Sequence, residues 1–258
     1  MLAAYLTQTQ ALLQLPGAPA SLYSTTDLTR YINIARGQVA GEGACIRSLG
    51  TVPTVIGQRP YNFNAIDFGS PSVYGIEGAI RVENLLYSSG SGQLWVNPRP
   101  WQWFIYYKLN VAAPASGPPT TWAQYGQGAA STGALGQGGS AVGGGTLYVD
   151  PLPDQVYTLN CDCVCYPIPL GSDADPEALP YLWTDCVPFF AAYFALLSAQ
   201  NNARMADAQR YYGMYQTFLT RARQAANPDV NRWQSMQSTD PVQAAKLGIK
   251  QPAAGGGG

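Results

Sequence analysis

The chain has 258 residues, with 14 Lys and Arg against 15 Asp and Glu, no histidine, and charged residues at only 11% of the total. A net charge of −1 predicts no general nucleic-acid affinity, which needs a surplus of Lys and Arg to neutralise phosphates. The lack of histidine excludes Ser-His-Asp and Cys-His catalysis, His-ligated metal sites and the usual general base near neutral pH.

Typical proteins carry about 25% charged residues. A chain with so few charges and 17 tyrosines has two readings. Its surface is covered by partners, since subunit interfaces lose Lys, Glu and Asp and gain aromatics, or it is an extracellular protein with an uncharged polar surface. No stretch reaches the roughly 18 unbroken apolar residues of a membrane span; the nearest, residues 187–199, is shorter.

Residues 1–45 read as two helices. The first spans 2–14 and stops at Pro16-Gly17. With no basic start and polar residues at helical spacing, it is an amphipathic helix and not a signal peptide. The second starts after Ser24, Thr25 or Thr26, all good caps. Leu28, Tyr31, Ile32, Ala35 and Val39 give it one apolar face, and Gly41 and Gly43 end it.

From Ile46 the period changes to two. Residues 51–63, 74–86, 92–98, 145–149 and 155–168 read as strands with turns, in a middle of roughly five to eight strands. Residues 101–109 also alternate, with Trp101, Trp103, Ile105, Tyr107 and Leu109 on one face of a strand. Pro114 to Pro119 lead toward a low-complexity insert, residues 126–145, with nine glycines in twenty residues. Such a segment has little to bury. It is either a partner-contacting loop or a tolerated insertion at a surface tip.

Residues 171–225 return to helix. Asp175-Pro176-Glu177 fits an N-cap and first turn, and helices are expected over 184–201 and 203–224. In the last, Met205, Ala208, Tyr212, Tyr215, Leu219 and Ala222 form a seam for another helix, within the subunit or between subunits. The fold class is therefore α+β. A small α-helical bundle is built from residues 1–45 and 171–225, an antiparallel β domain with a glycine-rich loop (46–170, loop 114–145) is inserted in it, and residues 226–258 extend as a C-terminal tail.

Candidate sites are few. The carboxylates sit mostly in turn contexts, such as Asp150-Pro151 and Asp173 to Asp175. Five cysteines, an odd number, argue against a complete disulfide framework. Cys161, Cys163 and Cys165 would share one strand face about 6.5–7 Å apart. With Cys45 or Cys186 they make a possible thiolate metal site, but zinc ligands usually lie on turns at wider spacing. The better reading is small apolar side chains continuing the face of Tyr157 and Leu159. The glycine-rich insert lacks the lysine and the strand-to-helix setting of a phosphate loop. Trp101, Trp103 and Tyr107 read as a core stripe; the alternative is a stacking platform, which would make the protein a carbohydrate-binding β module. Arg221 and Arg223 suit a helix C-terminus; with Arg232 they form a modest basic cluster that suits contact with an acidic protein surface or phosphate.

Several segments together resemble the head-to-tail adaptor (connector, or tail tubular) proteins of short-tailed bacteriophages. They are Leu28 to Asn33 with Ala35-Arg36, TVPTVIGQRPY at 51–61, Arg99 to Trp103, LYVDPLP at 147–153 running into YPIPL at 166–170, 184–200, and 211–223. The resemblance implies a structural, non-enzymatic virion protein with no cofactor or metal. It implies a homo-oligomeric ring, usually a dodecamer, between the portal and the tail, with double-stranded DNA passing through its channel without sequence-specific binding. Its partners would be the portal protein and the nozzle or fibre proteins, with no membrane. Its location would be the head-tail junction of the virion, and the host cytoplasm during assembly. The tail would grip the portal, placing Arg232, Trp233, Met236, Val242, Leu247 and Ile249 there. Met205, Tyr212, Tyr215 and Leu219 would form the inter-helix or intersubunit seam.

Overall fold

A computed structural model describes residues 1–13, 23–89, 92–111, 114–126, 145–198 and 204–226. Helices from both ends of the chain flank a seven-stranded sheet, so the α+β class holds. The first helix, α1 (Leu2–Leu13), is tied at its start by Asp173, whose Oδ1 accepts from Ala3 N at 2.7 Å and from the terminal amine at 3.0 Å. Those donors hold the Asp173 carboxyl below its ordinary value. The second, α2 (Thr25–Gly43), opens with a capping box in which Ser24 and Asp27 satisfy each other's backbone N–H. Its predicted face is inward, with Leu28, Ile32, Ala35 and Val39 buried and Tyr31 half-buried. The left-handed residue after it is Ala44, not a glycine. Gly43 has another reason to lack a side chain: a Cβ there would meet the Trp183 ring at 2.5 Å.

The strands are β1 (Arg47–Pro53), β2 (Pro60–Asn62), β3 (Ile76–Ser89), β4 (Gly92–Pro98), β5 (Thr121–Tyr125), β6 (Thr146–Asp150) and β7 (Thr158–Pro167). Their order is β1-β7-β3-β4-β5-β6-β2, antiparallel except for a short parallel contact of β4 with β5. Three register shifts in the first half of β3 bend this long strand, as bulges do. At the β1 edge, Thr51 is bridged by Asp67, which covers part of the open backbone.

Residues 101–109 correct the sequence reading. They form a helical turn, α4 (Trp101–Phe104), running into a π-turn (Ile105–Leu109), with α3 (Pro71–Tyr74) a second short helix in the sheet region. The inward residues are Trp101, Phe104 and Lys108, at helical rather than strand spacing. Phe104 is fully buried, and Trp101 lies 4.9 Å from Tyr125 and 4.7 Å from Tyr148 between ring centroids. Aromatics at nearly every position satisfy both periods, and the pockets on β5 and β6 select the helix. The expected helix start at Asp175-Pro176-Glu177 is also absent. Asp175 instead accepts from Gly171 N and Ser172 N, closing a turn, and helix begins after Pro180.

The C-terminal helices are α5 (Tyr181–Thr184), α6 (Cys186–Ser198) and α7 (Met205–Ala226). Pro188 falls in the first turn of α6, where its missing N–H costs nothing. Residues Tyr181–Ser198 are together long and apolar enough to cross a membrane by composition. Within the fold, α6 lies at the centre of the bundle, against α1, α2 and α7, with Val187, Ala191, Ala192 and Ala195 fully buried.

One continuous core joins bundle and sheet, from Ile32 and Val39 of α2 through Leu85, Cys163 and Val164 to Ala191 and Tyr215. A buried polar node crosses it. Arg36 on α2 pairs with Glu177 at 2.7 Å, with side chains 0% and 8% exposed, and donates to Ile168 O at 2.7 Å. Neighbouring Asn33 exchanges two hydrogen bonds with the backbone of Leu170. Tyr5 lies beside the same carboxylate; burial first, then the charge of Glu177, pushes its phenol well above the ordinary range.

Candidate functional site

The outer face of the α6–α7 pair combines packed rings with partly exposed apolar side chains. A ladder of rings runs outward from the core. Phe190 sits 4.9 Å from Tyr215 and 5.7 Å from Tyr193, and Tyr193 sits 5.0 Å from Tyr212. Tyr215 is fully buried, and its hydroxyl donates to Glu42 Oε2 at 2.9 Å. Burial and that carboxylate raise its phenol above the ordinary range. At the outer end Tyr212 is 40% exposed. Met205, two turns earlier on α7, and Leu197, one turn after Tyr193 on α6, are exposed as well. These apolar side chains on two neighbouring helices are left partly uncovered by the described residues.

The predicted seam therefore divides. Tyr215 and Leu219 are core, with Ala208 and Ala222, whereas Met205 and Tyr212 face outward. The inward tyrosine is Tyr211, whose hydroxyl donates to Leu12 O. Sequence spacing had no means of choosing between adjacent tyrosines, because 208-211-215 and 208-212-215 are both helical steps.

A groove opens between α1 and α7 above the start of α6. Gln8, Ala11, Leu12, Pro188, Phe189 and Phe218 line about 430 Å³ of mostly apolar space. Phe189 and Phe218 stack at 5.1 Å, and Asp185 stands at the rim. Arg221 lies over the Phe218 ring at 5.8 Å. Arg223 donates to Glu42 O near the end of α2, so it satisfies a neighbouring helix's C-terminus rather than its own.

Trp101 and Trp103 do not form the flat stacking platform that a strand would give, although Trp95 on β4 is 51% exposed. Trp101 packs on Phe104, Tyr125 and Tyr148. Trp103 is engaged by Arg99 at 5.1 Å, Lys108 at 5.8 Å and Tyr107 at 5.4 Å. The two indoles share a helical turn and not a flat strand face, which removes the geometric basis of the sugar-binding alternative. Asp150 is no simple turn residue either. Its buried carboxylate pairs with Arg59 at 3.0 Å and Lys108 at 2.7 Å, pinning the π-turn to β6.

Cys161, Cys163 and Cys165 lie on the inner face of β7, each fully buried among apolar side chains. Burial pushes the Cys165 thiol up to about 12. Such thiols are poor ligands, since metal binding needs the thiolate. Among the described residues no group of His, Cys, Asp or Glu is arranged to hold a metal ion.

The predicted tail residues Arg232, Trp233, Met236, Val242, Leu247 and Ile249 lie outside the described residues. Residues 3–240 match the family model described as SU10 adaptor protein. The chain belongs to the SU10 adaptor protein family. The match takes in both helical ends, the sheet, and the tail through Arg232, Trp233 and Met236, and stops before Val242. No curated protein matches the chain. Family membership makes this SU10 adaptor a structural phage protein, a virion component that works by contact with other head and tail proteins. That role agrees with the exposed apolar side chains and the apolar groove of the helical bundle.

Proposed function

We propose that this adaptor closes into a ring, a dodecamer by resemblance to connector proteins, at the head-tail junction of a short-tailed phage. In this reading the ring joins the portal to the tail and continues the channel for double-stranded DNA, with no catalytic role. The partly uncovered side chains of Leu197, Met205 and Tyr212 on the α6–α7 pair carry the proposal. Exposed aromatic and Met side chains beside a packed aromatic ladder are the composition of an interface core. Residues 226–258 dock on the portal, and the sheet region faces the tail nozzle or fibres. Closed rings suit such a surface because a head-to-tail contact that closes leaves no free edge.

Electron microscopy of the purified protein, alone and mixed with portal, tests the reading. Hollow rings of twelve-fold symmetry on portal are expected. A chain ending at Ala226 should keep its fold and lose portal attachment. Particles that stay monomeric with portal present overturn the ring, and unchanged attachment after truncation overturns tail docking.

A further inference from the structure

The groove between α1 and α7 has an apolar floor, an acidic rim and space for a large side chain, and the end of α7 lies close by. Phe218, one of its walls, is eight residues from Ala226, roughly 12 Å along a helix. Seven further residues lead to Trp233, a reach of up to about 25 Å, enough for the chain to double back. Trp233 is the sole aromatic residue beyond Ala226, and Arg232 precedes it directly. At the rim, Asp185 is exposed and forms no ion pair among the described residues.

We propose that, in the free subunit, the Trp233 indole occupies its own subunit's groove against Leu12, Phe189 and Phe218, with Arg232 paired to Asp185. The indole fits the apolar space of the groove, and a tryptophan buries about 150–250 Å². The occupant is the subunit's own segment and not a neighbour's, because a short tether gives an effective concentration near the millimolar range. Docking of Trp233 on any other protein then competes with the groove. The inference concerns one subunit and stands whether or not the ring reading holds.

Incorporation of 5-fluorotryptophan tests it. The chain has six tryptophans, and Trp233→Phe assigns one of the six fluorine resonances. In the wild type the Trp233 signal is expected away from the free-indole position, with a reduced solvent isotope shift that persists on roughly tenfold dilution. Ala11→Arg and Asp185→Lys, both at exposed positions, should move it to the free position while the other five signals hold and report an intact fold. Asp185→Lys combined with Arg232→Glu should return it. A wild-type signal already at the free position, or one indifferent to both groove variants, overturns the proposal. Protection that disappears on dilution also overturns it, and assigns the groove to a second copy.

Discussion

The guanidinium of Arg36 and the carboxylate of Glu177, 141 residues apart, meet at 2.7 Å in the interior of the protein. The pair fastens the middle of α2 to the segment that returns from β7 to the C-terminal helices. Asn33, one turn earlier, fastens the same segment through Leu170. The orientation of bundle on sheet is therefore held by directional polar contacts inside a core that is otherwise apolar.

Removing one partner of a buried pair strands the other. Arg36→Met should lower unfolding stability by about 3–5 kcal/mol, and Arg36→Met with Glu177→Met should cost less than the single change. Urea denaturation of the two variants decides; a single variant as stable as wild type contradicts the assignment.

Two glycines near the end of α2 should respond in opposite directions. A Cβ at Gly41 meets nothing within 4 Å, whereas one at Gly43 runs into Trp183. Gly41→Ala is expected to stabilise by about 0.4–1 kcal/mol, and Gly43→Ala to destabilise by about 1–3 kcal/mol. Thermal melts of the two proteins give the signs directly.

Residues of the α7 seam should separate folding from assembly. Leu219→Ala, in the core, should cost about 2–5 kcal/mol. Met205→Glu should change stability by no more than about 0.5 kcal/mol, and Tyr212→Glu, which also loses the ring contact with Tyr193, should cost about 0.5–1.5 kcal/mol, yet both should abolish ring formation on portal. Calorimetry read beside electron micrographs distinguishes the two effects, and normal rings from both exposed variants would remove these side chains from the interface.

Alkaline pH should unfold the protein through its buried acids. Burial raises the Cys186 thiol to about 11 and the Cys45 and Cys165 thiols to about 12 from an ordinary 9.0, and the Tyr5 and Tyr215 phenols also move upward. Raised values mean that the unfolded chain releases protons first. The contribution to stability is complete below about pH 9 and is lost as pH climbs through the folded values. Denaturant midpoints should be flat from pH 7 to about 9 and fall above it, with tyrosinate absorbance from Tyr5 and Tyr215 appearing only on unfolding.

Much of the architecture was legible because local pattern and burial agree. The face of α2, the cysteine face of β7 and the charge-poor α6 each follow from spacing alone. Residues 101–109 were misread because two patterns fitted the same letters. Aromatics from Trp101 to Tyr107 alternate and also repeat at helical steps, and packing on Tyr125 and Tyr148 chose between them. Residues 121–125 gave no strand signal, as the adjacent Trp122 and Ala123 are both buried, which hides the alternation, and the strand is held by partners distant in sequence. The groove was invisible, since its walls come from three helices.

The glycine-rich stretch begins and ends on a hairpin stem. Tyr125 pairs with Thr146, a Cβ on Gly126 would lie 3.6 Å from the Cα of Gly145, and Trp101 packs on both strands. A stem that closes itself makes the cost of what it carries grow only with the logarithm of length. Replacing residues 127–144 by a peptide tag of similar length is therefore expected to leave the β5–β6 pairing intact. On an assembled virion, each copy of the adaptor would present such a graft at the same place.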